Sequence, residues 1–148
     1  MARIQAFELH ELPGCPAVVR HLATDYLRTV GEVFRAFTPV APLLLQALRH
    51  SPEPRVIDLC SGGSGPVVKL AEQVHGELGA PPSVVLTDLF PSSAAFAWAA
   101  ARAAVPVTSE EEPVDARRVP ERLRGVRTLF DAFHHFRPDD ARGILADA

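Results

Sequence analysis

Cysteine is nearly absent from this chain: Cys15 and Cys60 are the only two in 148 residues. Cys60 falls in an apolar run that reads as buried strand, so a disulfide framework has no support, and a reducing, cytoplasmic setting is expected. A cationic surplus is lacking too. Fifteen Lys and Arg against 18 Asp and Glu leave a formal charge of −3. That excludes a broad phosphate-neutralising surface and disfavours nucleic acid as a partner, although Arg117, Arg118, Arg122, Arg124 and Arg127 cluster locally. Long apolar runs are missing as well. The greasiest stretch, Val40 to Leu48, is interrupted by Pro42 and too short to span a bilayer, and the first residues, with Glu8 and Glu11, hold no apolar block like a signal peptide. No membrane anchor is expected. There are no repeats and no low-complexity tract.

What is present is enough apolar residue, 47%, for one core and one domain. From Pro16 to about Phe37 the residues Val18, Val19, Leu22, Tyr26, Leu27, Val30, Val33, Phe34 and Phe37 recur at three- and four-residue spacings, which predicts a long amphipathic helix. Pro39 and Pro42 break it, and Leu43 to Leu48 suggests a second short helix. This helical leader, 1–54, ends in the turn before Arg55.

Arg55 to Cys60 is a short β-branched run without polar alternation, as a strand buried on both faces of a parallel sheet requires. The loop Ser61 to Gly65 follows, then an apolar helical pattern from Pro66 to about Leu78. Val84 to Asp88 reads as a second strand, and Ser92 to Ala104 as an alanine-rich helix with Ser92 or Ser93 as cap. A weaker strand near Val105 to Thr108, an acidic turn at Glu110 to Glu112 and a stronger strand from Val126 to Phe133 come next. Pro138-Asp139-Asp140 opens a last helix, with the acids near the positive end of its dipole. Strands alternate with helices, so the expected fold is α/β, a Rossmann-like partly parallel sheet with helices on both faces over 55–148.

A glycine turn between a buried strand and a helix lets backbone approach a ligand, because glycine lacks Cβ and tolerates positive φ. Here Gly62, Gly63 and Gly65 make that turn. Asp58 lies inside the strand before it, and Asp88 ends the next strand 30 residues on. Ligands bind at this edge of α/β sheets, where an acid ending the second strand can accept from ribose hydroxyls. The loop lacks the regular glycine spacing of dinucleotide sites, and no lysine-serine pair follows it as in a phosphate loop, since Lys69 lies inside the helix.

At these residues the chain resembles the class I S-adenosylmethionine-dependent methyltransferases. Val56 to Pro66 is similar to their first motif, with Asp58 as its acid and Cys60, Ser61, Gly62, Gly63 and Gly65 in its loop. Thr87-Asp88-Leu89-Phe90 is similar to the second, whose acid holds the ribose. Pro113-Val114-Asp115-Ala116 resembles the adenine-contacting segment, Asp115 accepting from the exocyclic amine and Ala116 offering backbone. Thr128 to Phe136 looks like the fourth motif, which faces the methyl group. The resemblance implies S-adenosylmethionine as cofactor and methyl transfer to a small-molecule acceptor by direct displacement. Phe133 and His134 would border the acceptor, and Tyr26 on the leader would close over the cofactor or face the core. Cys60 and Ser64 stand where many members have glycine. The family's sheet has further strands, so the sequence resembles an amino-terminal portion truncated after about four strands. Its fourth strand would then be an apolar edge bearing Leu129, Phe130 and Phe133, open to self-association.

Rival readings stand beside this one. The first is a module that binds cofactor or partner without turnover; the second, disfavoured by the loop, is half of a nicotinamide-dependent dehydrogenase. His134 can serve as a proton acceptor or simply end a strand as a hydrogen-bonded histidine. His134 and His135, as strand neighbours, would point to opposite faces and would not share a metal ion.

Overall fold

The computed structural model describes Gly14, Pro16, Val18, Val19, Leu22, Tyr26 and residues 37–147. A 3₁₀ turn at Thr38–Val40 leads into α1 (Ala41–His50), and then β1 (Arg55–Leu59), α2 (Val67–Leu78), β2 (Ser83–Leu86), α3 (Ser93–Ala100), β3 (Val107–Ser109), β4 (Val126–Leu129) and α4 (Pro138–Asp147) follow. The four strands form one sheet in the order β3-β2-β1-β4, and every pairing is parallel. The protein has an α/β, Rossmann-like architecture.

β1 is central, and its residues 56–59 are all buried, which is why its sequence shows no polar alternation. Alternate residues still serve different layers. Val56 packs with Val84 and Leu86 under Leu44, Leu45 and Leu48 of α1, Val67 to Val74 of α2, and Phe96 and Ala99 of α3. Ile57 and Leu59 pack on the opposite face with Val114, Ala116, Val119, Leu123 and Ile144 of α4. Helices thus cover both faces, and α1 is part of the same core as the sheet. The order reverses direction at β1, where the chain passes from the β2 side to the β4 side. Such a switch point opens a crevice at the carboxyl ends of the strands.

Element ends follow local chemistry. Gly79, at φ 76°, ends α2 in the left-handed conformation glycine favours. The Ser92 hydroxyl accepts from the Ala95 amide to cap α3. That helix stops short of Ala104: the Ala104 amide donates to Glu72 Oε1 at 2.8 Å, and Val105 turns into the core. The third strand therefore starts at Val107 rather than at Val105. Pro106 has no N–H to donate, but its carbonyl accepts from Val84 at 2.8 Å. Gly125 sits where an added Cβ would lie 2.6 Å from the Arg55 carbonyl oxygen, so only glycine lets β4 dock beside β1.

Two expectations need correction. The fourth strand ends at Leu129, not Phe133, because Asp131 at φ 51° takes the chain out of extended geometry and into a 3₁₀ turn at Phe133–His135. Leu129 and Phe130 are half-buried, and the Phe130 ring meets Phe37 edge-on with centroids 5.4 Å apart. In the leader, Val18, Val19, Leu22 and Tyr26 are helical, as periodicity predicts. Tyr26 is 69% exposed. It does not join the core, since periodicity makes a helix without dictating what that helix buries. Leu27, Val30, Val33 and Phe34 lie outside the described residues, as does Cys15. Among the described residues no helix is long and apolar enough to cross a membrane.

Candidate functional site at the carboxyl edge

β1 runs into the loop with Asp58 almost wholly buried, 1% exposed. Burial of a carboxylate demands partners, and two hydroxyls supply them: Ser61 Oγ donates to Oδ2 at 2.8 Å and Thr128 Oγ1 to Oδ1 at 2.7 Å. Burial dominates all the same. It pushes the Asp58 carboxyl up to about 7; the Thr128 and Ser61 hydroxyls oppose the rise and the charge of Asp88 adds to it. Asp58 thus braces the loop from beneath.

Thr87, fully buried, completes the brace. Its amide donates to the Asp58 carbonyl at 3.0 Å and to Ser61 Oγ at 3.1 Å, and its hydroxyl donates to the Asp58 carbonyl at 2.8 Å. The Ser61 amide returns a bond to the Thr87 carbonyl at 2.9 Å. The ends of β1 and β2 are stitched together at every turn of the backbone. Sequence reasoning missed Thr87 and Thr128, yet a signal existed: an acid inside an apolar strand needs hydroxyl donors, and a threonine stands next to Asp88.

The loop itself is left-handed at four positions. Gly62 and Gly65 lie at φ 52° and 48°, and Cys60 and Ser64 lie at 58° and 82°. Cys60 and Ser64 thus adopt the backbone that glycine would give at little cost, which costs each of them about 1–2 kcal/mol. Gly63 is buried beneath the turn. The Gly62 amide donates to Asp88 Oδ2 at 2.7 Å, and the Phe90 amide donates to Oδ1 at 2.8 Å. Asp88 is therefore fixed as a fork with both oxygens oriented by backbone, while Leu89 beside it is exposed.

The third acid arrives from the connection between β3 and β4. The Val114 amide donates to the Asp88 carbonyl at 2.8 Å, which sets Asp115 next to the end of β2, and Ala116 is buried against the Ile57 face of the sheet. Both oxygens of Asp115 accept from Arg117, whose side-chain hydrogen bond is the main cause holding the Asp115 carboxyl below the usual carboxylate range. Three acids come from three distant segments: Asp58 and Asp88 bond the loop directly, and Asp115 follows Val114, whose amide meets the Asp88 carbonyl. The charges of Asp88, Asp58 and Asp115 all reach the half-buried, free thiol of Cys60, and together with burial, the largest cause, they push it up to about 12. That thiol stays protonated and is no nucleophile at neutral pH.

The methyl-facing segment is built differently. Phe133 and His134 are exposed, and the His134 and His135 rings lie with centroids 3.9 Å apart, tilted by 42°. The expected opposition of these two side chains fails because they occupy a 3₁₀ turn rather than a strand. Among the described residues no group of three or more His, Cys, Asp or Glu side chains is placed to hold a metal ion. Comparison with known protein families, with characterised proteins and with solved structures finds no match for this chain.

Proposed function

We propose that this chain holds S-adenosylmethionine at the carboxyl edge of its sheet and serves methyl transfer to a small-molecule acceptor, in the manner of the class I methyltransferases it resembles. The observation that carries this reading is a left-handed glycine loop at the sheet's switch point, bonded by Asp58 and Asp88, with Asp115 one residue from the Val114 amide that meets the Asp88 carbonyl. The donor chemistry fits the cofactor. Asp88 keeps lone pairs for ribose hydroxyls beyond the two amides it already accepts. Net negative potential suits a ligand bearing a sulfonium and an ammonium. The turn through Gly62, Gly63 and Gly65 leaves room for close backbone approach.

When bound, S-adenosylmethionine supplies a methyl group on a sulfonium, whose thioether is the leaving group. The chain's own residues then bind and align. Asp88 fixes the ribose end, Asp115 and the Ala116 backbone face the base, and Asp58 with Ser61 and Thr128 keeps the loop rigid. Cys60 and Leu89 line the same edge, Phe133 borders the acceptor, and His134 takes a proton where the acceptor must lose one. The proposal includes a cytoplasmic setting, supported by the free, protonated Cys60 thiol. It also includes association of two copies through the edge strand β4, which has a strand neighbour, β1, on one side only.

A second reading, binding without turnover, is favoured by the exposure of Phe133 and His134, which leaves the acceptor side open. Titration calorimetry on the whole chain with S-adenosylmethionine and S-adenosylhomocysteine tests both. Binding should weaken at least about 100-fold in Asp88→Ala, the scale of losing charge-assisted hydrogen bonds, with the fold retained by circular dichroism. A methylation assay against amine, hydroxyl and thiol acceptors then separates the two readings. Binding of NAD alone would overturn both.

A further inference from the structure

Arg117 lies two residues after Asp115 and wraps back onto it. Its backbone amide and Nε both donate to Oδ1 at 2.9 Å, while Nε and Nη2 reach Oδ2 at 3.1 and 2.6 Å. A carboxylate offers about four lone-pair sites, so this one residue uses the accepting capacity of Asp115. The same guanidinium faces a second acid, with Nη1 3.9 Å from Oδ1 of Asp140 in the first turn of α4. The backbone here is held: the Val114 amide is bonded to the Asp88 carbonyl, and the Arg118 amide to the Asp115 carbonyl. The Arg117 side chain, by contrast, is half-exposed and held only by these contacts to acids.

We infer that Arg117 sets ligand selectivity at this edge, as a counter-ion that occupies Asp115 in the unliganded chain and passes to Asp140 when an amine-bearing base arrives. The inference rests on the proposed reading that Asp115 faces an adenine. An exocyclic amine can donate to Asp115 only as guanidinium contacts give way, and Asp140 offers the displaced cation a partner in its place. No bond is made or broken beyond these hydrogen bonds and ion pairs. A base with a 6-oxo group turns an acceptor oxygen, not a donor, towards Asp115 at the exocyclic position, its one ring proton being on N1, and gains nothing there by displacing Arg117. A base with an amine gains a charge-assisted bond. The exchange therefore discriminates between them, at a cost in affinity for the amine-bearing ligand.

The test is calorimetric titration of S-adenosylhomocysteine and its inosine counterpart into the whole chain, as wild type, Arg117→Gln, Asp140→Asn and the double variant. Arg117→Gln should bind S-adenosylhomocysteine about threefold to fivefold tighter, the range a half-exposed ion pair contributes. It should leave the 6-oxo ligand no tighter. Asp140→Asn should bind the amine-bearing ligand more weakly than wild type, and the double variant should match Arg117→Gln, since Asp140 acts only through Arg117. Binding by wild type that is unchanged or weakened in Arg117→Gln overturns the inference and leaves the proposed function standing. Absence of binding in all four forms overturns the proposed function and the inference with it.

Discussion

The carboxyl ends of β1 and β4 are neighbours in one sheet, yet they are built to different standards. At β1 the buried Asp58, Ser61 and Thr87 exchange hydrogen bonds with one another and with the ends of two other strands, and among the described residues no buried side-chain polar atom lacks a partner. At β4 the chain leaves the sheet after four residues, turns through a left-handed Asp131 and presents Phe133 and His134 to solvent. The first end is a preformed surface, at which binding costs little ordering entropy; the second is an exposed turn. In the proposed function the cofactor therefore meets the braced end and the acceptor the exposed one.

The largest way to break this contrast is at the base of the pairing between the two strands. Gly125→Val places a Cβ against the Arg55 carbonyl oxygen at a positive φ, and should destabilise the chain by about 3–5 kcal/mol in urea unfolding, from backbone strain plus overpacking. An equal loss at both ends of the site should accompany it.

Next in size is the titration of Asp58. Its native carboxyl titrates near 7 against 3.8 for the free group, so the native state holds a proton that the unfolded chain has released. Stability is then full below about pH 4, falls as pH rises towards about 7, and is flat above. The fall is of the order of 4 kcal/mol, at about 1.4 kcal/mol for each pH unit between the two values. Asp58→Asn, which cannot ionise, should remove that slope, so its unfolding free energy measured from acid to pH 8 should cross above wild type in the neutral range. An unchanged slope would show the carboxylate to be better solvated than its burial indicates. Asp115, held low by Arg117, contributes with the opposite sign, but it is solvent-accessible and its share is small.

A smaller change sharpens the contrast instead. Ser64→Gly relieves a residue at φ 82° and should raise stability by about 0.5–1 kcal/mol, the left-handed penalty less the entropy of an added glycine. Smallest of all, Phe133→Ala at the open end should shift the unfolding free energy by less than about 0.5 kcal/mol in thermal denaturation.

The same contrast separates what could be read in the letters from what could not. The strand at Val56, its loop and the acid at Asp88 were legible because burial on both faces and glycine conformations leave direct marks on residue choice. The alternation of strands and helices was legible for the same reason. The end of β4 was not, since Val126 to Phe133 is uniformly compatible with extended backbone, and only the torsion of Asp131 ends it. Val105 was misassigned to a strand because burial in the core and burial in a sheet ask for the same residue. The Arg117 fork on Asp115 was readable in principle, as an acid and a base two positions apart in a turn. Tyr26 shows the reverse case: its helix was legible, its docking was not.

The bond from Thr128 Oγ1 to Asp58 Oδ1 joins residues 70 apart in sequence. Closing so long a loop is entropically slow, and a sheet ordered β3-β2-β1-β4 must bring its last strand back to its first. The β1–loop–β2 unit can collapse locally, but its buried acid gains its second donor only when β4 arrives. Folding of this chain should therefore be late and all at once at the site, with the hydrogen bonds around Asp58 completed in the final kinetic phase rather than growing with the helices.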